Sequence, residues 1–325
     1  MENPNDCLVH LKTASSTKLR CLFETLSPIL NEGSLVFTES GLTVRGINVV
    51  LLVDVQIDAD AVDEYQCQGS HRVCVAFSTL HSCLCSATAD ETVCIQVTRE
   101  GLDATCPYIS VFLVGETSQY VFSFRVGLLA IDDNTFEVPD SSFQTVVCVP
   151  SQNFQRVLRC AEKRGTSMQV FTQCVNGCNY IVFATEGDEA TLVFSLQFEG
   201  EHEEECLKLD RYSLKYLLLV AKATSLSSYV TVFLKKDFVL GIKYKVGTIG
   251  TATFCLAPLV EKATSFPMIK PIAAVATVEG ADAVSGSSTE RAEEKEQGEE
   301  EDEEEESPPV PAPKEIGRAS CRERV

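Results

Sequence analysis

Arg156, Arg159 and Lys163 stand at i, i+3 and i+7, so a helix would put all three on one face. Arg211, Lys215 and Lys222 fall within one narrow arc of another helical stretch, and Lys18 and Arg20 lie in a third. Cations in such rows can meet a line of phosphates without reading bases, or can simply solvate a helix face. No bond-making constellation competes with them. His10, His71, His81 and His202 are scattered without a motif. Asp132-Asp133 and Glu203-Glu204-Glu205 could do acid–base work only if buried, and they read as solvated loops. There is no G-x-x-x-x-G-K-[ST] loop for ATP. The fifteen cysteines are odd in number and irregularly spaced, which predicts reduced, mostly buried thiols in an intracellular protein. Cys83-Leu84-Cys85 and the Cys174/Cys178 pair are poor zinc spacings, and no second pair is placed to complete them. No catalytic residue, no metal and no cofactor are expected.

Four helices must carry these side chains. Apolar residues recur at i, i+3, i+4 and i+7 in Leu19/Leu22/Phe23/Leu26, Leu80/Cys83/Leu84/Ala87, Phe154/Val157/Leu158/Ala161 and Leu214/Leu217/Leu218/Ala221. Ser78, Ser151 and Asp210 are candidate N-caps, and Pro28 ends the first helix. Leu19 and Leu80 are 61 residues apart and Phe154 and Leu214 are 60 apart; Leu19 to Phe154 is 135 and Leu80 to Leu214 is 134. The pattern is one two-helix domain used twice. Alternating strands follow each helix, with turns at Ser40-Gly41, near Glu100-Gly101 and at Asn176-Gly177. Further strands are expected at 119–126 and 190–198. The fold class is α+β: a strand-rich chain of two similar domains, each with two helices packed on antiparallel sheets.

The net charge of −20 argues against a protein that coats nucleic acid with its whole surface. Residues 289–306 hold twelve acids and two bases. With the Pro-rich run at 308–313 they cannot bury enough apolar surface to offset ordering, which predicts a disordered tail over 263–315. Residues 316–325 read as the translation of a sequencing-library adapter and are set aside. No apolar run reaches bilayer-spanning length, and the polar, acidic first six residues carry no secretion signal.

Leu214-Lys-Tyr-Leu-Leu-Leu-Val-Ala-Lys-Ala-Thr-Ser-Leu-Ser-Ser228, Leu256-Ala257-Pro258, Phe136-Glu-Val-Pro-Asp140, Gly41-Leu-Thr-Val-Arg-Gly-Ile47 and Leu52-Val-Asp-Val55 resemble motifs of the proliferating cell nuclear antigen family of DNA sliding clamps. The similarity runs over residues 8–262. It implies an N-terminal clamp domain at 1–127, an interdomain connector at 128–140 and a C-terminal clamp domain at 141–262. Three subunits would form a pseudo-sixfold ring with helices lining the hole. Edge strands 119–126 and Cys178–Glu186 would pair between subunits. Lys18, Arg20, Arg156, Arg159, Lys163, Arg211, Lys215 and Lys222 would face duplex DNA in a sequence-independent way. Ile47, Val50, Phe136, Val138, Pro139, Val239, Ala257 and Pro258 would form the pocket for partner peptides.

The resemblance further implies a non-enzymatic processivity factor in the nucleus, or at a viral replication site. Its partners would be DNA polymerase, other clamp-binding proteins and a clamp-loading ATPase. The second helix departs from the family, offering His81, Ser82 and Cys85 where lysines are usual. The turn at Asn48-Val49 is short and lacks the family's histidine, Cys255 and Val239 replace a usual tyrosine and proline, and Cys174 replaces the regulatory lysine. Two alternatives stay open: a subunit of a heterotrimeric checkpoint clamp, and a viral processivity factor that does not close into a ring.

Overall fold

The computed structural model describes residues 6–115, 120–130, 143–187, 190–199, 208–236 and 238–259, all within one unit, Met1–Ala274. The first half runs β1 (Cys7–Thr13), α1 (Ser16–Leu26), β2 (Glu32–Thr38), β3 (Gly41–Asn48), β4 (Leu51–Asp58), β5 (Glu64–Cys67), β6 (His71–Ala76), α2 (Phe77–Cys85), β7 (Glu91–Thr98), α3 (Arg99–Asp103), β8 (Tyr108–Gly115) and β9 (Val121–Gly127). The second runs β10 (Thr145–Pro150), α4 (Ser151–Glu162), β11 (Ser167–Val175), β12 (Cys178–Glu186), β13 (Thr191–Phe198), β14 (Lys208–Ser213), α5 (Leu214–Val220), a 3-10 turn (Ala221–Ser225), β15 (Tyr229–Leu234), β16 (Leu240–Val246) and β17 (Gly250–Leu256). The architecture is α+β, with antiparallel sheets and short helices.

The strand orders repeat. β1-β7-β8-β9 in the first half matches β10-β15-β16-β17 in the second, and β4-β3-β2-β6 matches β13-β12-β11-β14. β5 adds a strand beside β1. The halves join because β17 pairs with β4, from Gly250 opposite Ile57 to Leu256 opposite Leu51, which fuses two four-stranded sheets into one of eight. At this seam a Cβ on Gly250 would lie 2.0 Å from the Gln56 carbonyl oxygen. Gly250→Ala must therefore spread β4 from β17. It is expected to cost about 1–3 kcal/mol, an overpacking penalty, lowering the thermal midpoint by several degrees in calorimetry.

The apolar stripes face inward as their spacing predicts. Leu19, Leu22, Phe23 and Leu26 of α1 and Phe154, Val157, Leu158 and Ala161 of α4 are buried. Phe23 packs on Phe77 with ring centroids 5.8 Å apart, and Phe154 on Phe183 at the same distance. The β11–β12 turn falls at Asn176-Gly177, both with positive φ, as a tight two-residue hairpin requires.

Several sequence expectations about local structure change. α2 is Phe77–Cys85, starting before the candidate cap Ser78 and stopping short of Ala87, and the stripe of the last helix continues from α5 into the 3-10 turn. Glu100-Gly101 lies within α3 rather than in a turn. None of the expected side-chain caps forms; the N-cap positions are Ala76, Pro150 and Ser213. Strands run straight into these helices, and a nearby backbone carbonyl takes the first helical N–H: Phe77 to Asn31 at 3.1 Å, Ser151 to Ser228 at 2.9 Å, and Leu214 to Thr166 at 3.0 Å. A capping hydroxyl is superfluous where that donor is already satisfied. The shared contact also sets the repeat register. Phe77, not Leu80, is the counterpart of Leu214, one helical turn from the match that apolar spacing suggests.

Candidate nucleic-acid interface

The helices form a row. α2 packs on α1, α1 on the 3-10 turn after α5, and that turn on α4. Lys18 sits at the joint, its Nζ donating to the carbonyls of Ser225 (2.8 Å) and Leu226 (3.1 Å). Arg20 likewise donates to the Ala87 carbonyl at 3.3 Å. These two cations therefore tie backbone ends together. Beside Lys18 a cavity of about 440 Å³ opens between the start of α4 (Gln152, Asn153) and the loop through Ser227 and Ser228.

The second half presents its cations differently. Arg156, Arg159 and Lys163 are exposed along α4, and Lys215 and Lys222 are exposed on α5 and the following turn. Among the described residues the ion pairs are His10–Glu64, Lys12–Glu64, Arg45–Asp54 and Arg211–Glu186, and these five cations enter none of them. Arg159 lies in the last turn of α4, where the helix dipole favours a positive charge. Arg211 departs from expectation. It lies in β14, not on a helix, its side chain is only 16% exposed, and it pairs with Glu186 at 3.5 Å. Strand geometry in β14 removes it from the arc that a continuous helix would have given it.

On α2 the repeat counterparts of Lys215 and Lys222 are Ser78 and Cys85. With Ser82 exposed and His81 half-buried, this face carries no lysine or arginine. Free positive charge on the helix row is thus concentrated in the second half.

The outer face of the eight-stranded sheet holds the other predicted cluster. Ile47 is 44% exposed and stands opposite Leu52, which stands opposite Cys255. Val50 accepts a backbone hydrogen bond from Ala257 at 2.8 Å, which brings those two together. Val239, Ala257 and Pro258 are half-buried. Phe136, Val138 and Pro139 lie outside the described residues. Sequence reasoning missed Val49, which projects from the turn with φ 47° and 85% exposure, and Leu52, the link between Ile47 and Cys255. A two-residue connection between strands was the available signal for Val49. Burial and the neighbouring Asp54 carboxylate push the Cys255 thiol up to about 11, which keeps it a neutral apolar surface there.

Among the edge strands of the described sheets, two bear on assembly. Among the described residues β9 pairs only with β8, and β13 only with β12. β12, expected as an edge, is interior, with β11 and β13 on either side; the edge belongs to the next strand. Tyr120, Val121 and Phe122 at the β9 edge are 50%, 54% and 49% exposed, and Phe122 touches both Tyr120 and Phe124. Beneath β13, a cavity of about 320 Å³ lies between Leu192 and Phe194 and the α4 side chains of Asn153, Arg156 and Cys160. By the repeat, β9 is the counterpart of β17 and β13 of β4, so the open edges are the counterparts of the two strands that form the internal seam.

Family comparison agrees with this doubled architecture. Residues 8–135 match the family model described as proliferating cell nuclear antigen, N-terminal domain, and residues 137–259 match proliferating cell nuclear antigen, C-terminal domain. The chain belongs to the proliferating cell nuclear antigen family. It is also 25% identical over 275 residues to the probable DNA polymerase sliding clamp 1 of Paramecium bursaria Chlorella virus 1, an alignment covering 79% of this chain and 99% of that protein.

Proposed function

We infer that this chain is a DNA polymerase processivity factor, a sliding clamp subunit that closes with copies of itself around duplex DNA and tethers replication proteins to it. The observation that carries this reading is the internal seam and its two unsatisfied counterparts. A strand pairing that the repeat makes once within the chain is available again at each end, head to tail. Heterologous contacts of that kind generate rings when the rotation closes. Three chains would bring six repeats into one circle.

The seam also supplies a register. β4 and β17 place Val55 opposite Ala252, and Val53 opposite Phe254. Carried through the repeat by matching cross-strand pairs, these become Phe194 opposite the neighbour's Phe122, and Leu192 opposite its Phe124. An exposed aromatic row then meets an apolar row, while open backbone groups on both edges find partners.

Inside such a ring the helix row faces DNA, and the exposed cations of α4 and α5 offer phosphate contacts without sequence preference. Processivity comes from topology, so contacts loose enough to slide suffice. Opening the ring calls for a clamp-loading ATPase. The Ile47–Leu52–Cys255 face, with the connector at 128–140, would take the apolar plug of partner peptides. The chain itself acts as a non-enzymatic scaffold, in the nucleus or at a viral replication site, with clamp domains at 1–127 and 141–262 and a separate acidic tail.

Solution mass and plasmid retention test the reading together. The expected result is a homotrimer that, once loaded, stays on circular plasmid and runs off after linearisation. A monomer in solution that stays bound to linear DNA would overturn ring closure.

A further inference from the structure

α2 carries a pair that DNA contact does not use. Its His81 and Cys85 lie one helical turn apart, with Nε2 and Sγ 3.2 Å from each other. Cys85 is exposed and His81 half-buried, on the face away from the buried Phe77, Leu80 and Leu84. We propose that Cys85 is a nucleophilic thiol with His81 as its proton acceptor, and that it is, among the cysteines of the described residues, the preferred site of modification by soft electrophiles and by glutathione disulfide.

The chemistry follows from the contact. A thiolate attacks where a thiol does not, and an imidazole within hydrogen-bond distance can take the proton as the sulfur reacts. With glutathione disulfide, Sγ bonds to one glutathione sulfur and the original S–S bond breaks. The departing glutathione thiolate takes the proton from His81, so Cys85 is oxidised and one glutathione is reduced. The fold distinguishes this thiol from others. Cys94 also has an imidazole near, His10 Nδ1 at 3.6 Å, but it is buried, and that burial pushes its thiol up to about 11. Cys106, Cys148 and Cys174 are exposed and supply internal comparisons. Cys160 is exposed among the α4 cations and is not a neutral comparison.

The position gives the modification a consequence, which rests on the clamp reading above. Cys85 is the repeat counterpart of Lys222. A glutathione adduct, with two carboxylates and one ammonium, would put net negative charge where the repeat elsewhere offers a cation. Modification should therefore weaken the hold on DNA.

Timed alkylation of the full-length folded chain with iodoacetamide at pH 7, read peptide by peptide by mass spectrometry, tests the thiol without reference to DNA. Cys85 is expected to label about tenfold faster than Cys106, Cys148 and Cys174, and H81Q is expected to abolish that lead. Unchanged protection of buried Cys83 and Cys94 in H81Q shows that the variant is folded. Equal rates in the wild type, or a lead that survives H81Q, overturn the assignment. In a second arm, the glutathione adduct should shorten retention on circular DNA, and C85S should be insensitive. Fast labelling with unchanged retention would leave the thiol chemistry standing and refute the placement of α2 against DNA.

Discussion

Phe122→Asp is expected to leave each chain folded and to abolish the proposed oligomer. Phe122 is half exposed at an open edge, so the isolated subunit loses little by its removal. In the ring it would face Phe194 over the cavity beneath β13, and an aspartate there would lose the ring packing and desolvate a carboxylate beside Leu192 and Phe194, a cost that the nearby Arg156 offsets only in part. The penalty is several kcal/mol at each interface, on the order of a hundredfold or more in association. Sedimentation should show monomer with an unchanged far-UV spectrum. Plasmid retention should fall to background. Phe194→Asp should do the same from the other edge, whereas Ser195→Asp, on the opposite face of the same strand, should be tolerated. A Phe122→Asp chain that remains trimeric would refute the transferred register.

Joint replacement of Arg156, Arg159 and Lys163 by alanine has the second large effect, and on a different quantity. These side chains are exposed and enter no ion pair among the described residues, so oligomer mass and stability should hold. Direct affinity for duplex should fall about tenfold or more at low salt. The slope of log K against log salt should shrink by about 0.9 for each phosphate that is no longer neutralised. Lys18→Met is the contrasting case. Its ammonium already serves the carbonyls of Ser225 and Leu226, so the substitution should lower stability while barely changing the salt slope. Equal loss of DNA affinity from both variants would contradict the division of labour between the two halves.

The helix stripes were legible because burial imposes a 3.6-residue period, and Leu19, Leu22, Phe23 and Leu26 obey it. The Asn176-Gly177 turn was legible because few residues accept the backbone that a two-residue hairpin needs. Helix starts were not. Ser78 and Asp210 look like caps, yet a neighbouring carbonyl does the capping, and nothing local in the sequence announces a carbonyl from a distant segment. Lys18 and Arg211 show the same limit. As residue types they matched Arg156 and Lys215, but one is held by a turn about two hundred positions away in sequence, as its bond to Ser225 shows, and the other by Glu186 of β12, across the intervening β11.

Composition and order in the chain alone thus determine an acidic, twice-repeated α+β protein with basic helix faces and family motifs in sequence. Those properties are local, or periodic, and survive in one dimension. Which cations remain free, which strand forms the edge, and that Ile47, Leu52 and Cys255 share one row were decided only in three dimensions. Each depends on a partner brought from elsewhere by the β4–β17 seam or by strand stacking, and a side chain's availability is set by whatever neighbour reaches it first.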